Sequence, residues 1–177
     1  FPIVYAANKM DIAPPGVLEA FPERTMVACM ADMELALRRA ASSGLIDYTS
    51  GQSGFTVRPD ASLNEAQQKA LAHMNQRLEE AGGTGLSRLL DEVLFDQLQH
   101  IVVYPVQDES HWVDGDGRVL PDAFVVPDGL HAKALAGRVH TDLEAGFIRG
   151  VDGRTRRVVG ADHELSDGDV LKIHAKS

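Results

Sequence analysis

Residues 2–11 read PIVYAANKMD: an apolar run, PIVYAA at 2–7, passes directly into a polar tetrapeptide, Asn8-Lys9-Met10-Asp11. In nucleotide-binding α/β domains ligands sit beyond the carboxyl ends of the strands, so this order predicts a strand that delivers polar groups to a base. The residue types suit guanine. A carboxylate at Asp11 can accept two parallel hydrogen bonds, and guanine presents two adjacent donors, N1–H and the 2-amino group. Adenine lacks that pair, and a buried acceptor left unmatched costs about 1–3 kcal/mol. Lys9 can lay its aliphatic stem over a base face, and the Asn8 amide can join neighbouring loops. The same tetrapeptide, followed by Pro14-Pro15-Gly16, is also ordinary turn chemistry between a strand and a helix. On these residues alone both readings stand.

Outward from that stretch, residues 15–21 read as a short helix and TMVACM at 25–30 as a buried strand. ADMELALRRAASSG follows, with Met33, Leu35, Ala36, Leu37, Ala40 and Ala41 at helical spacing and Gly44 as the stop. Residues 49–60 form a turn-rich linker. Ser62, with Glu65 three residues later, predicts a capping box for a helix running to about Ala81, its apolar stripe being Leu71, Met74 and Leu78. Gly82-Gly83-Thr84-Gly85 breaks it. A second amphipathic helix, 86–99, is expected to bury Leu86, Leu89, Leu90, Val93, Leu94 and Leu98.

Past residue 100 the pattern changes. IVVYPV at 101–106 reads as a strand, and VLPDAFVV at 119–126 as another, with Pro121 placing it at an edge or bulge. A helix is predicted over 131–143, its apolar side carrying Ala134, Leu135, Val139 and Leu143, and GFIRGVD, RRVVG and VLKIHA follow as short strands. That order describes a small α+β unit, a sheet packed on one helix, with its boundary at 100/101.

The chain of 177 residues has room for one ordinary domain or two small ones. It has no apolar run near the ~20 residues needed to span a bilayer and no signal-peptide pattern, so no membrane partner is expected. The single cysteine, Cys29, excludes an internal disulfide and suits a reducing cytoplasm, the expected location. A net charge of −9 argues against indiscriminate nucleic-acid binding, and no DNA partner is expected. Only five of the 17 basic residues are lysine, a balance reminiscent of salt-adapted chains. Of the seven histidines, His100, His111, His131, His140, His163 and His174 are scattered in the second half without metal-ligand spacing, no catalytic residue is assigned, and no metal site is expected. No G-x-x-x-x-G-K-[ST] phosphate loop occurs. Because Phe1 already opens what reads as a core strand, either the chain is an amino-terminally truncated piece of a nucleotide-binding protein or the opening motif is accidental.

Taken in order, IVVYPVQDE, VLPDAFVVPDG, AGRVHTDLEAGFIRGVD and RTRRVVGADHELSDGDVLKIHA resemble a TGS domain, and more particularly the one that ends the Obg/YchF-related GTPases of archaea and their relatives. PIVYAANKMD resembles the base-specificity motif of those proteins, VACMADMELALRRA the segment carrying their last GTPase motif, and GTGLSRLLDEVLF the closing helix of their G domain. The resemblance covers essentially the whole chain. It implies an α/β fold over 1–100, the carboxyl-terminal portion of a P-loop GTPase domain with a helical insertion at about 33–82. A small α+β β-grasp TGS domain over 101–177 completes it.

Carried over residue by residue, Asn8, Lys9 and Asp11 match the guanine-contacting positions. Met30, Ala31 and Asp32 match an S-A-E stretch whose backbone donors approach the guanine carbonyl oxygen, with methionine standing where the family has serine. Cys29 beside them is read as a small buried filler. The resemblance implies GTP or GDP as ligand, with Mg2+ only in an intact protein whose phosphate loop, switch segments and metal ligands lie amino-terminal to Phe1. GTP hydrolysis is expected of that intact protein and not of this chain. TGS domains also occur in threonyl-tRNA synthetases and stringent-response enzymes, which implies ribosome or RNA contact. Arg149, Arg154, Arg156 and Arg157, with Lys172 and His174 near, are the candidate RNA-binding residues through their phosphate-matching guanidinium forks. They also suit a solvated strand surface guarded against edge aggregation. The competing function is a non-catalytic TGS-containing adaptor for RNA or protein.

Overall fold

The opening apolar run forms β1 (Tyr5–Ala7) and TMVACM supplies β2 (Met26–Ala28), the two lying parallel with Tyr5, Ala6 and Ala7 opposite Met26, Val27 and Ala28. They are seen in a computed structural model that describes residues 2–176 and divides into two units, Phe1–Gln97 and Leu98–Ser177. The sequence predicts a helix at 15–21 between these strands, and the structure has only turns there. Two adjacent prolines remove amide donors, and Gly16 takes a left-handed φ of 82°, so no helical nucleus forms in so short a stretch.

Helix α1 (Ala31–Ser42) buries Met33, Glu34 and Leu37 but leaves Leu35 and Ala36 exposed, a narrower stripe than the periodicity suggested. The stretch 49–60 that read as a linker supplies the loop and second strand of a short hairpin, β3 (Ile46–Asp47) against β4 (Thr56–Val57). Helix α2 (Glu65–Ala81) starts two residues later than Ser62 as cap would require. Asn64 is the cap: its Oδ1 accepts from Gln67 N–H, while Gln67 Oε1 accepts from Asn64 N–H, both at 2.9 Å. Asn caps as well as Ser, and Leu63 just ahead packs on the core, which settles the entry point. Leu71 and Leu78 are buried as expected and, with Met30, Met33, Leu37 and Ile46, make the core of this unit.

The predicted helix 86–99 is shorter and wound differently. Helix α3 (Leu86–Asp91) passes into a π-helical segment, Glu92–Gln97, and none of its leucines is fully buried, Leu90 being 59% and Leu98 47% exposed. Hydrogen bonding from i to i+5 changes the angular spacing, so a stripe drawn at 3.6 residues does not stay on one face.

The second unit is a five-stranded mixed sheet in the order β6-β5-β9-β7-β8, with β5 (His100–Val106), β6 (Phe124–Pro127), β7 (Phe147–Asp152), β8 (Val158–Val159) and β9 (Val170–Ala175). Only β5 and β9 run parallel. The strand predicted at 119–126 is confined to its second half: Pro121 lies ahead of it, and Val119 makes only an isolated bridge to Val113. The helix predicted over 131–143 is two, α4 (Ala132–Val139) and α5 (Thr141–Ala145), parted where His140 turns extended and its Nδ1 accepts the Asp142 N–H. Val139 is consequently 37% exposed rather than core. Ile101, Val103, Val126, Leu135, Leu165 and Leu171 close the core, each fully buried leucine being worth about 1.5–3 kcal/mol. Among the described residues no helix is long and apolar enough to cross a membrane.

Candidate functional site

The carboxyl ends of β1 and β2 are tied together by three hydrogen bonds. Cys29 N–H donates to Ala7 O at 2.8 Å, and Met10 N–H to Cys29 O at 3.1 Å. Asn8 Oδ1 accepts from Ala31 N–H at 3.0 Å, joining segments 23 residues apart. The tetrapeptide 8–11 and the segment 30–31 are therefore brought side by side.

Lys9 holds a φ of 64°, a left-handed conformation costing a non-glycine residue about 1–2 kcal/mol, and Ile12 N–H closes the turn on Lys9 O. Its side chain is exposed. Asp11 is half-buried; its backbone oxygen accepts from Arg77 Nη2 on α2 at 3.0 Å, and among the described residues nothing bonds its carboxylate. Arg77 was not singled out in the sequence, because it lies 66 residues away.

Met30 is 4% exposed and its side chain packs in the core, so the residue that stands where the resembled motif has serine serves packing. Its backbone is held on both sides: Met30 N–H donates to Thr84 O at 2.8 Å, and Met30 O accepts from Glu34 N–H at 3.0 Å. Asp32 is exposed in the first turn of α1. Cys29 is 2% exposed, and burial pushes its thiol above the ordinary range against the opposing charge of Arg88. Gly85 sits with φ 82° against the end of β2, where a Cβ would collide with the Ala28 carbonyl oxygen.

Beneath this corner lies Glu34, 4% exposed. Its carboxylate accepts from Tyr48 Oη at 2.7 Å, Ser50 Oγ at 2.6 Å and Thr84 Oγ1 at 2.6 Å, with Arg38 Nε at 3.5 Å on the outer side. Burial pushes its pKa up, but the hydroxyl donors and Arg38 together outweigh that and hold it below the ordinary glutamate value. Tyr48 is pushed up to about 12 by burial and by its bond to Glu34. The available signal was a glutamate at helical spacing with Met30, Met33 and Leu37. An open groove of about 900 Å³, lined by Ile46, Tyr48, Thr49, Phe55 and Arg58 among others, runs beside the hairpin and does not include residues 8–11.

In the second unit the four arginines do not form one free cluster. Arg154 Nε donates to Gly168 O at 2.9 Å and its guanidinium lies over the Trp112 ring at 5.7 Å. Arg156 grips Ser110 through Oγ at 2.8 Å and O at 3.1 Å. Lys172 pairs with Glu109 at 2.8 Å. The turn these groups hold is itself tight: Asp108, bonded by the His111 ring and by Ser110 N–H, has its carboxyl drawn down to about 2. Arg149, opposite His174 on β9, and Arg157 are exposed. Among the described residues no three His, Cys, Asp or Glu side chains converge to hold a metal ion.

Residues 6–108 match the family model described as Obg-like GTPase YGR210-like, G4 motif-containing domain, and residues 117–175 match the TGS domain. The chain is 37% identical to the uncharacterised GTP-binding protein MJ1332 of Methanocaldococcus jannaschii, over 97% of this chain and 44% of that one. The crystal structure of a GTP-binding protein from Pyrococcus horikoshii OT3 superposes with a TM-score of 0.69 at 34% identity, over 99% of this chain and 46% of that one. The chain thus spans less than half the length of each of these relatives.

Proposed function

Since this chain belongs to the YGR210-like Obg-like GTPases and carries a TGS domain, we propose that Asn8, Lys9, Asp11 and the Met30–Ala31 backbone make the guanine-reading part of a GTP- or GDP-binding site. The observation that supports this reading is the Asn8–Ala31 bond, which joins the motif at 8–11 to a backbone donor at the carboxyl ends of two parallel strands, with Asp11, its carboxylate unbonded among the described residues, three positions further on. In this reading Asp11 takes the guanine N1–H and 2-amino protons, and the Lys9 stem covers the base. The Ala31 N–H, shared with or released from Asn8, meets the carbonyl oxygen O6. Phosphate contacts, Mg2+ coordination and the hydrolytic step are assigned to the further length that the relatives possess.

Titration of the chain with GDP and ADP tests this. We expect binding weaker than micromolar, because base contacts act without phosphate contacts, and a preference for GDP of about tenfold, the worth of one well-made charged hydrogen bond. Equal affinities would dispose of the guanine reading. Submicromolar affinity for GDP would overturn the assignment of phosphate binding elsewhere.

For the second unit the reading is cytoplasmic RNA or ribosome contact through Arg149 and Arg157, whose guanidinium groups are exposed. Replacing both by glutamate should weaken RNA binding and lower its salt slope by about 2, one for each lost phosphate contact. An unchanged slope refutes it.

A further inference from the structure

Glu34 lies outside the guanine motif, yet its carboxylate accepts from Thr84, whose backbone oxygen accepts from Met30 N–H. We propose that Glu34 is a positioning residue for base recognition: it holds Thr84 and Met30 so that the Met30–Ala31 peptide presents its N–H toward the guanine carbonyl oxygen. This rests on the guanine reading above and names a further residue in the same site.

A buried carboxylate contributes little stability in itself, since an apolar side chain of the same volume often packs such a position as well or better. What it does impose is direction. Its lone pairs must be met, and here they are met by hydroxyls 14, 16 and 50 residues away in sequence. Thr84, so oriented, offers its backbone oxygen to Met30 N–H, while Glu34 N–H takes Met30 O. Met30 N–H is thereby tied to the Glu34 carboxylate through Thr84, while Met30 O takes the ordinary helical bond from the Glu34 backbone, which does not depend on the side chain. The next amide along is that of Ala31, already directed at the Asn8 side chain. Glycine at 85, in its left-handed conformation, lets the same segment lie against the end of β2 without a clash.

The test compares three nucleotides below neutral pH, followed by amide shifts in the ¹⁵N-labelled chain. They are GDP; 6-thio-GDP, which alters only the carbonyl oxygen; and IDP, which lacks only the 2-amino group. In Glu34→Ala the preference for GDP over 6-thio-GDP should fall about fivefold, the equivalent of one neutral hydrogen bond, while the preference over IDP, set by Asp11, stays within about twofold. Thr84→Val, which keeps the side-chain shape and the backbone oxygen, should show the same pattern at smaller size and carries the test if Glu34→Ala does not fold. Glu34→Gln, with one acceptor oxygen retained, should restore part of the preference. Equal weakening toward all three nucleotides, or no change, overturns the proposal. A wild-type chain that does not distinguish GDP from IDP would instead remove the guanine reading on which it stands.

Discussion

Two carboxylates of the first unit, Asp11 and Glu34, differ in what satisfies them. Asp11 is half-buried, and its carboxylate oxygens are unengaged among the described residues. Asp11→Asn exchanges one acceptor for an amide donor. That substitution should shift preference from GDP toward xanthosine diphosphate, whose C2 carbonyl accepts where guanine donates, by about tenfold or more in competition binding. Glu34 is fully engaged, and its pKa lies below the ordinary glutamate value of 4.5. A lowered folded-state pKa stabilises the fold while the group is ionised. The contribution is therefore present above about pH 4.5 and lost as pH falls through the lower folded value. Urea midpoints followed by circular dichroism should fall steeply below that pH in the wild type and less steeply in Glu34→Gln.

Elements succeed or fail here by their ends. Asn64 and Gln67 satisfy two donors at the start of α2, and Asn64→Ala should cost about 1 kcal/mol in denaturant unfolding. Two glycines with the same φ of 82° should behave differently when replaced by alanine. Gly16 has open space around it, so only the backbone conformation resists, at about 1 kcal/mol. Gly85 faces the Ala28 carbonyl as well, and its replacement should cost several-fold more and displace the end of β2. Thermal melts of the two variants check the contrast; equal losses would contradict the packing of Gly85.

At the scale of the whole chain the net charge of −9 opposes compaction by self-repulsion, and only five lysines accompany that excess. Screening should relieve it, so the melting temperature should rise between dilute and molar KCl. A flat or falling curve would discount the idea of salt adaptation. Each unit has its own apolar core, and the two family matches follow one another along the chain in the same order.

Most of the longer elements and the β-sheet of the second unit were legible in the sequence, because periodicity and turn chemistry act between residues a few positions apart; the turns that stand in place of the short helix expected at 15–21, and the strand within 49–60, were not. The core stripe of α2 is the clearest case: Leu71 and Leu78 follow from spacing and are buried. The competition between Ser62 and Asn64, the break at His140 and the π-helical winding after Asp91 were decided only when neighbours packed against them, since local propensities there are nearly balanced. The side-chain bonds were the least legible. Glu34 meets Thr84 across 50 residues, and Arg156 meets Ser110 across 46. Residue type announces what such a group can bond, but which partner arrives is settled by convergence in space, and that belongs to the tertiary structure.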